Sequence, residues 1–184
     1  SKDLGSHTLE GSRPGMAMLV HAGLSIIGRK GYELLIDLGI KRANSFAGMI
    51  RQHADFELTN TPQLNILTYR YCPKNVQQAL VHATMVQSEE INILIDHVNQ
   101  LLQKDQREAG KTFVSRTRLW VPIYEQELTV MRVVLANPLT TDEILISVLD
   151  EQCTIVLQQI FQSLLQQVNT LCVQITESHA SACA

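Results

Sequence analysis

Charge is scarce in this chain. Of its 184 residues, 18% are Asp, Glu, Lys or Arg, where an average soluble domain has about a quarter. The formal net charge is only −3. No field of one sign is large enough to attract nucleic acid or an anionic membrane. Aromatic residues are also few, at 5%, with a single tryptophan. No apolar run reaches the length that spans a bilayer. The longest nearly uncharged stretch near the start is Pro14 to Gly28, and it holds His21 and three glycines. No basic-then-apolar leader follows Ser1. No Gly-rich phosphate loop, serine elbow or HExxH motif is present. The four cysteines, Cys72, Cys153, Cys172 and Cys183, form no CxxC and show no spacing with histidine that reads as zinc. They are expected to be reduced and mostly buried thiols of a cytoplasmic protein. No metal site is expected.

What remains is an ordinary apolar content of 45% and a mean hydropathy of +0.02. These exclude disorder and suit one domain, or one domain and a small part. The paucity of charge points to surface that something else covers.

Residues 1–13 are polar, glycine-containing and aperiodic, and are expected to be a loop or arm. Pro14 suits the first position of a helix, with Ser12 or Arg13 as its cap. Met16, Leu19, Val20, Leu24 and Ile27 follow helical spacing. Gly28 and Gly31 bracket a break, and a second helix is expected from Tyr32 to His53. His21 is expected on or near the apolar face of the first helix as a core histidine. Phe56 and Leu58, then Leu64 to Tyr71, predict two antiparallel strands joined by a tight turn. Helical spacing returns from Val76 to Leu102 and stops at Gly110. Phe113 to Ile123 and Leu128 to Ala136 predict two more strands. Thr140 or Thr141 then caps a last helix, with Asp142 and Glu143 favourably placed in its first turn. That helix is expected to run to Ile175 with a bend or an early end, since a single helix would be about 50 Å long. Its inner stripe would hold Ile146, Leu149, Cys153, Val156, Leu157, Ile160, Leu164, Val168 and Leu171. Gln152, Gln158, Gln159, Gln162, Gln166, Gln167 and Gln174 would form a wet face. The order is two helices, two strands, a helix, two strands and a helix. This is an α+β fold, an antiparallel sheet with helices packed on one face.

Two segments carry possible chemistry. Ser12, beside Gly11 and Arg13 at a helix start, is either an ordinary cap or an anion site, and spacing alone favours the cap. Arg132 lies inside the apolar run Val130-Met131-Arg132-Val133-Val134. On strand alternation it shares a face with Val130, Val134 and Ala136. A charge there is costly unless paired. It is a guanidinium awaiting a carboxylate, an edge-strand arginine that reaches water, or half of a structural ion pair. Glu89, Glu90, Glu125 and Glu127 are expected to be solvated. The histidines form no ligand pattern, so no catalytic residue is assigned.

The stretch LEGSRPGMAMLVHAGLSIIGRKGYELLIDLGIKRANSFAGMIRQHADFEL and the strand MRVVLANPLTTDEI resemble the C-terminal part of group II pyridoxal-phosphate-dependent decarboxylases. This family acts on glutamate, aromatic amino acids and 2,4-diaminobutyrate, and the bacterial glutamate, diaminobutyrate or aspartate 1-decarboxylase branch is the nearest in character. The resemblance runs from about residue 3 to about residue 160. It implies a fold type I architecture: a loop from the end of the large domain over 1–13, a helical linker over 14–54, the small domain over 55–176 and a disordered tail over 177–184. It implies that Gly11 and Ser12 lie at the cofactor phosphate of the neighbouring subunit of a homodimer. It implies that Arg132 pairs with the carboxylate of a small amino-acid substrate, such as glutamate, aspartate or 2,4-diaminobutyrate, which loses CO2 from its alpha carbon. The family's cofactor lysine follows a histidine. None of Lys2, Lys30, Lys41, Lys74, Lys104 and Lys111 does. The chain is therefore expected to be the closing part of a longer enzyme and inactive without its large domain. A non-catalytic α+β interaction module, and a lyase or transaminase of the same fold, are the alternatives.

Overall fold

The computed structural model describes residues 15–182, with side chains to His179. The chain divides into two compact units, 1–37 and 38–184.

In the first unit, helix α1 (Met16–Gln52) starts and is interrupted at Gly28, whose φ of 65° and ψ of 175° are not helical. Glycine reaches this conformation without the penalty a Cβ would impose. The break therefore falls where expected. The apolar stripe does not: Met16, Leu19, Val20, Leu24 and Ile27 are all exposed, and so is His21. Spacing predicts that a helix has an apolar stripe. It does not say what covers that stripe. The core histidine expected at position 21 is thus a surface residue.

The second unit holds the rest of α1 and β1 (Phe56–Leu58), β2 (Ile66–Tyr71), α2 (Lys74–His82), α3 (Met85–Ala109), β3 (Ser115–Val121), β4 (Gln126–Val134), α4 (Asp142–Val156) and α5 (Gln159–Ala182). The strands form one antiparallel sheet in the order β1-β2-β4-β3. One face carries the core. Phe56, Leu67, Tyr69, Tyr71 and Met131 meet Ala43, Phe46, Ala47 and Ile50 of α1, Val98 and Leu102 of α3, and Leu145, Leu149 and Val156 of α4. The helices thus pack on one face. Gly39 of α1 is buried among these contacts. A Cβ there would stand 2.9 Å from the Leu135 carbonyl oxygen, so the helix approaches the sheet as closely as backbone allows.

Four local expectations need correction. The connection between β1 and β2 is not a tight turn but residues 59–65. Asn60 Oδ1 holds it by accepting from both the Thr68 amide (2.6 Å) and the Thr68 hydroxyl (2.8 Å). The helix expected from Val76 to Leu102 is two. Thr84 starts α3 with a reciprocal capping box to Gln87, which satisfies otherwise orphaned amides and so fixes a new helix start. Gly110 ends α3 in the left-handed conformation, φ 71°, as expected. The last helix bends, as expected, dividing into α4 and α5 at an angle of 84°, but its inner stripe does not hold. Thr141 caps α4 through the Ile144 amide. The bend resets the helical phase. Ile146, Leu157 and Ile160, expected inside, are exposed, while Phe161 is fully buried. α5 runs on to Ala182, into the segment expected as a disordered tail.

β2 and β4 part company after the pair Tyr69–Met131. Continuing that register would set Tyr71 against Thr129 and close the ladder. Side chains of α3 take its place. Asn99 Oδ1 accepts from the Tyr71 amide at 2.8 Å and its Nδ2 donates to the Tyr71 carbonyl at 2.9 Å. Asp96 accepts from the Thr129 amide at 2.8 Å. Buried backbone groups must be paired, so these polar residues hold the splayed end of the sheet. Burial raises the Asp96 carboxyl above its usual range, against the opposing pull of the Thr129 hydrogen bonds. No single helix among the described residues is long and apolar enough to cross a membrane.

Candidate functional site

Arg132 lies on β4, with Thr68 of β2 directly opposite on one side and Ser115 of β3 on the other. β4 is an interior strand, which removes the edge-strand reading. Arg132 shares its face with Val130, Val134, Thr68 and Ile66, since opposed residues of an antiparallel pair point the same way. Around Arg132 this face is left open by the helices. Val130 is fully buried, in a cluster with Val121 and Leu128. Ile66 and Val134, at 43% and 50% exposure, lie open. The Arg132 side chain is exposed and makes no hydrogen bond or ion pair with the described residues. Its backbone carbonyl accepts from the Ser115 hydroxyl at 2.8 Å. Among the described residues it is not half of a structural ion pair. It is a guanidinium fork held on a rigid strand beside apolar side chains, and it can bind a carboxylate through two parallel hydrogen bonds.

A second arginine on the same face behaves in the opposite way, and sequence reasoning missed it. Arg70, two residues beyond Thr68 on β2, is fully buried. Its Nε donates to Glu57 at 2.6 Å and its Nη1 to Asn92 at 2.8 Å. The Tyr124 ring covers the guanidinium at 4.8 Å, and the Tyr124 hydroxyl donates to Glu57 at 2.6 Å. Burial works against the charge, but the groups around it outweigh burial and raise the guanidinium above its usual value; of these, Glu57 is the one that carries a counter-charge at neutral pH. Arg70 is thus committed to structure. The signal was present: an arginine between two tyrosines in a β-rich run has the same alternation problem as Arg132.

The expected wet glutamine face is also corrected at one position. Gln152 is fully buried. It accepts from the Tyr69 hydroxyl at 3.1 Å and donates to Gln106 at 2.9 Å. The other glutamines of the stripe are exposed.

His53, Asp55 and Cys153 come together at the end of α1 and on α4, with one possible ligand atom from each within 4.8 Å of the others. These three atoms are close enough to share one metal ion; without one, the thiol is not a nucleophile. His53 Nδ1 accepts from the Asp55 amide at 3.1 Å. The neutral ring therefore carries its proton on Nε2, which faces the Cys153 sulfur at 3.9 Å. Burial, with Asp55 and Asp150 nearby, pushes the Cys153 thiol up to about 11, so it stays protonated and unreactive at neutral pH. The other described cysteines, Cys72 and Cys172, are buried free thiols, and burial pushes Cys72 up to about 12.

Gly11 and Ser12 lie outside the described residues. An aldehyde cofactor needs a lysine held in a pocket. Lys30, Lys41, Lys74, Lys104 and Lys111 are all exposed, and among the described residues none fits that role.

No family model matches the chain. It is 56% identical over 153 residues to the aspartate 1-decarboxylase of Aliivibrio fischeri, a match covering 83% of this chain and 28% of that protein. It is 26% identical to the aromatic-L-amino-acid decarboxylase of Bacillus atrophaeus, over 80% of this chain and 27% of that protein. Its fold matches the crystal structure of mouse CSAD in apo form with a TM-score of 0.64 at 17% identity, covering 82% of this chain and 29% of that one. The chain thus spans less than a third of the length of the relatives it matches. The fold is that of the C-terminal α+β region of pyridoxal-phosphate-dependent decarboxylases. The chain belongs to the group II family of these decarboxylases and corresponds to its C-terminal part.

Proposed function

We propose that this chain is the C-terminal part of a pyridoxal-phosphate-dependent decarboxylase of small acidic or diamino acids, such as aspartate, glutamate or 2,4-diaminobutyrate. The complete enzyme releases CO2 from the alpha carbon, and the cofactor supplies the electron sink for that step. This chain contributes the substrate clamp. Arg132 binds the substrate carboxylate, and the single observation that carries this role is its unpartnered guanidinium on the open face of an otherwise core-packed sheet. A charge-assisted hydrogen bond contributes about 1.5–3 kcal/mol. Ile66 and Val134 beside it exclude water once the site is covered, which strengthens the pair. Gly11 and Ser12 contact the cofactor phosphate of the neighbouring subunit.

The partners are the large domain of the same enzyme and a second subunit, in the cytoplasm, with neither nucleic acid nor membrane involved. The row of exposed apolar residues from Met16 to Ile36 supports a covering partner, since a patch of this kind is seldom left open to water. With no lysine fitted to the cofactor among the described residues, the chain alone is inactive.

Adding pyridoxal phosphate to the isolated chain, reducing with borohydride and mapping the product by mass spectrometry tests this. The expected result is no lysine labelled beyond the level of an unfolded control. Co-expression with the large-domain part of such an enzyme is expected to restore CO2 release, and Arg132→Ala to lower it about 10- to 100-fold. Cofactor held on one lysine of the isolated chain, or CO2 release without a large domain, would refute the proposal.

A further inference from the structure

His53 and Asp55 stand between the end of α1 and the start of β1, and Cys153 lies on α4, 100 residues beyond His53. Spacing along the chain therefore gives no sign of their meeting. No other three His, Cys, Asp or Glu side chains among the described residues bring donor atoms this close together. Two of the three are held in place. The Phe56 ring stands edge-on to the His53 ring, with centroids 4.9 Å apart. Cys153 packs against the main core. The third, Asp55, is 40% exposed in its side chain and His53 is 30% exposed, so an ion has a way in from solvent.

We infer that His53, Asp55 and Cys153 form a site for one zinc-class divalent ion, which ties the end of α1 to α4 and keeps a water as its fourth ligand. The donor set selects the class. A thiolate with an imidazole suits zinc, whereas magnesium and calcium take oxygen ligands. The distances fit a site that closes slightly on its ion. Tetrahedral zinc bonds of about 2.3 Å to sulfur and about 2.0 Å to nitrogen set those two atoms about 3.5 Å apart. The Cys153 sulfur already lies 3.9 Å from His53 Nε2. Asp55 Oδ2 lies 3.9 Å from His53 Nδ1, and its partly exposed carboxylate is free to swing inward. A neutral ring has one in-plane lone pair, which Nδ1 gives to the Asp55 amide at 3.1 Å. An ion on either ring nitrogen releases that amide to water, and the Cys153 thiol proton leaves to solvent as the thiolate binds. Metal bonds thus replace one hydrogen bond at the rim of the domain. The site is independent of the role given to Arg132.

Cobalt(II) is the probe, added to the full chain in a Cys183→Ser background. One equivalent is expected to produce a near-ultraviolet charge-transfer band, which requires a cobalt–thiolate bond, and zinc to displace it. Cys153→Ser is expected to remove the band, and His53→Gln and Asp55→Asn each to weaken binding at least about tenfold. The band separates this site from the rings of His82 and His179, which lie 4.2 Å apart but bring no sulfur. Zinc at about 100-fold over its Kd is expected to raise Tm by about 5–10 °C, and a chelator to reverse the rise. Thermal unfolding without metal shows that each variant is folded, and the parent protein alone decides the matter if one is not. No charge-transfer band in the parent, a band that survives Cys153→Ser, or an affinity unchanged by His53→Gln would overturn the inference.

Discussion

The buried ion pair of Arg70 and Glu57 gives a quantitative test of how the open face is built. Arg70 is fully buried and Glu57 is 17% exposed in its side chain. Arg70→Met keeps most of the volume and removes the charge. Glu57 then loses its 2.6 Å partner and keeps the Tyr124 hydroxyl, and Asn92 loses a donor. Breaking a buried pair from one side costs about 3–5 kcal/mol. The lower end applies here for two reasons. Glu57 retains some contact with water. Arg70 Nη2 is itself buried with no partner in the described structure, so removing the guanidinium relieves one unsatisfied donor. The expected loss is about 3 kcal/mol, which for a domain of this size lowers Tm by about 6–12 °C. Adding Glu57→Gln removes the stranded carboxylate, so the double variant is expected to be more stable than Arg70→Met alone. Urea and thermal unfolding followed by circular dichroism measure both. A loss below about 1 kcal/mol for Arg70→Met, or a double variant less stable than the single one, would refute the reasoning.

Gly39→Ala is expected to destabilise the protein although alanine gains about 1 kcal/mol in helix propensity, because its Cβ would meet the Leu135 carbonyl at 2.9 Å; thermal unfolding gives the sign. Asp96→Asn keeps the acceptor for the Thr129 amide and removes a carboxylate that burial disfavours. The folded-state pKa lies above the unfolded one, so ionised Asp96 weakens the fold at neutral pH and this cost vanishes once both states are protonated. The variant should therefore be at least as stable as the parent at pH 7, with the difference shrinking towards pH 3. Cys72 and Cys172 are expected to resist alkylation at pH 7.5 until the protein is unfolded, and Cys153 to react slowly; rapid native labelling of Cys72, followed by mass spectrometry, would contradict their burial.

Much of this fold could be read from local chemistry. Gly28, Gly110 and the Thr141 cap each mark an element end where the structure has one, because backbone conformation and orphan amides are decided within a few residues. The missed boundaries had weaker local signs. Thr84 and Gln87 spell a capping box, but apolar spacing runs straight through them. The bend expected in the last helix has its place at Leu157-Gln158, with neither glycine nor proline to mark it, and it moved Ile160 out and Phe161 in. Burial depends on what arrives from elsewhere in the chain, so Gln152 entered the core and His21 did not. The candidate site divided along the same line. Alternation made Arg132 conspicuous, but only the tertiary structure separated it from Arg70. One arginine is surrounded by partners and the other has none among the described residues.

The most direct test of that distinction is steady-state decarboxylation by the complete enzyme with Arg132→Ala, run beside its thermal unfolding. An exposed guanidinium that binds the substrate carboxylate predicts a fall in kcat/KM of about 10- to 100-fold, from the 1.5–3 kcal/mol of a charge-assisted bond, with Tm unchanged and with partial recovery in Arg132→Lys. An unchanged kcat/KM, or a loss of activity that follows a loss of Tm, would contradict the account.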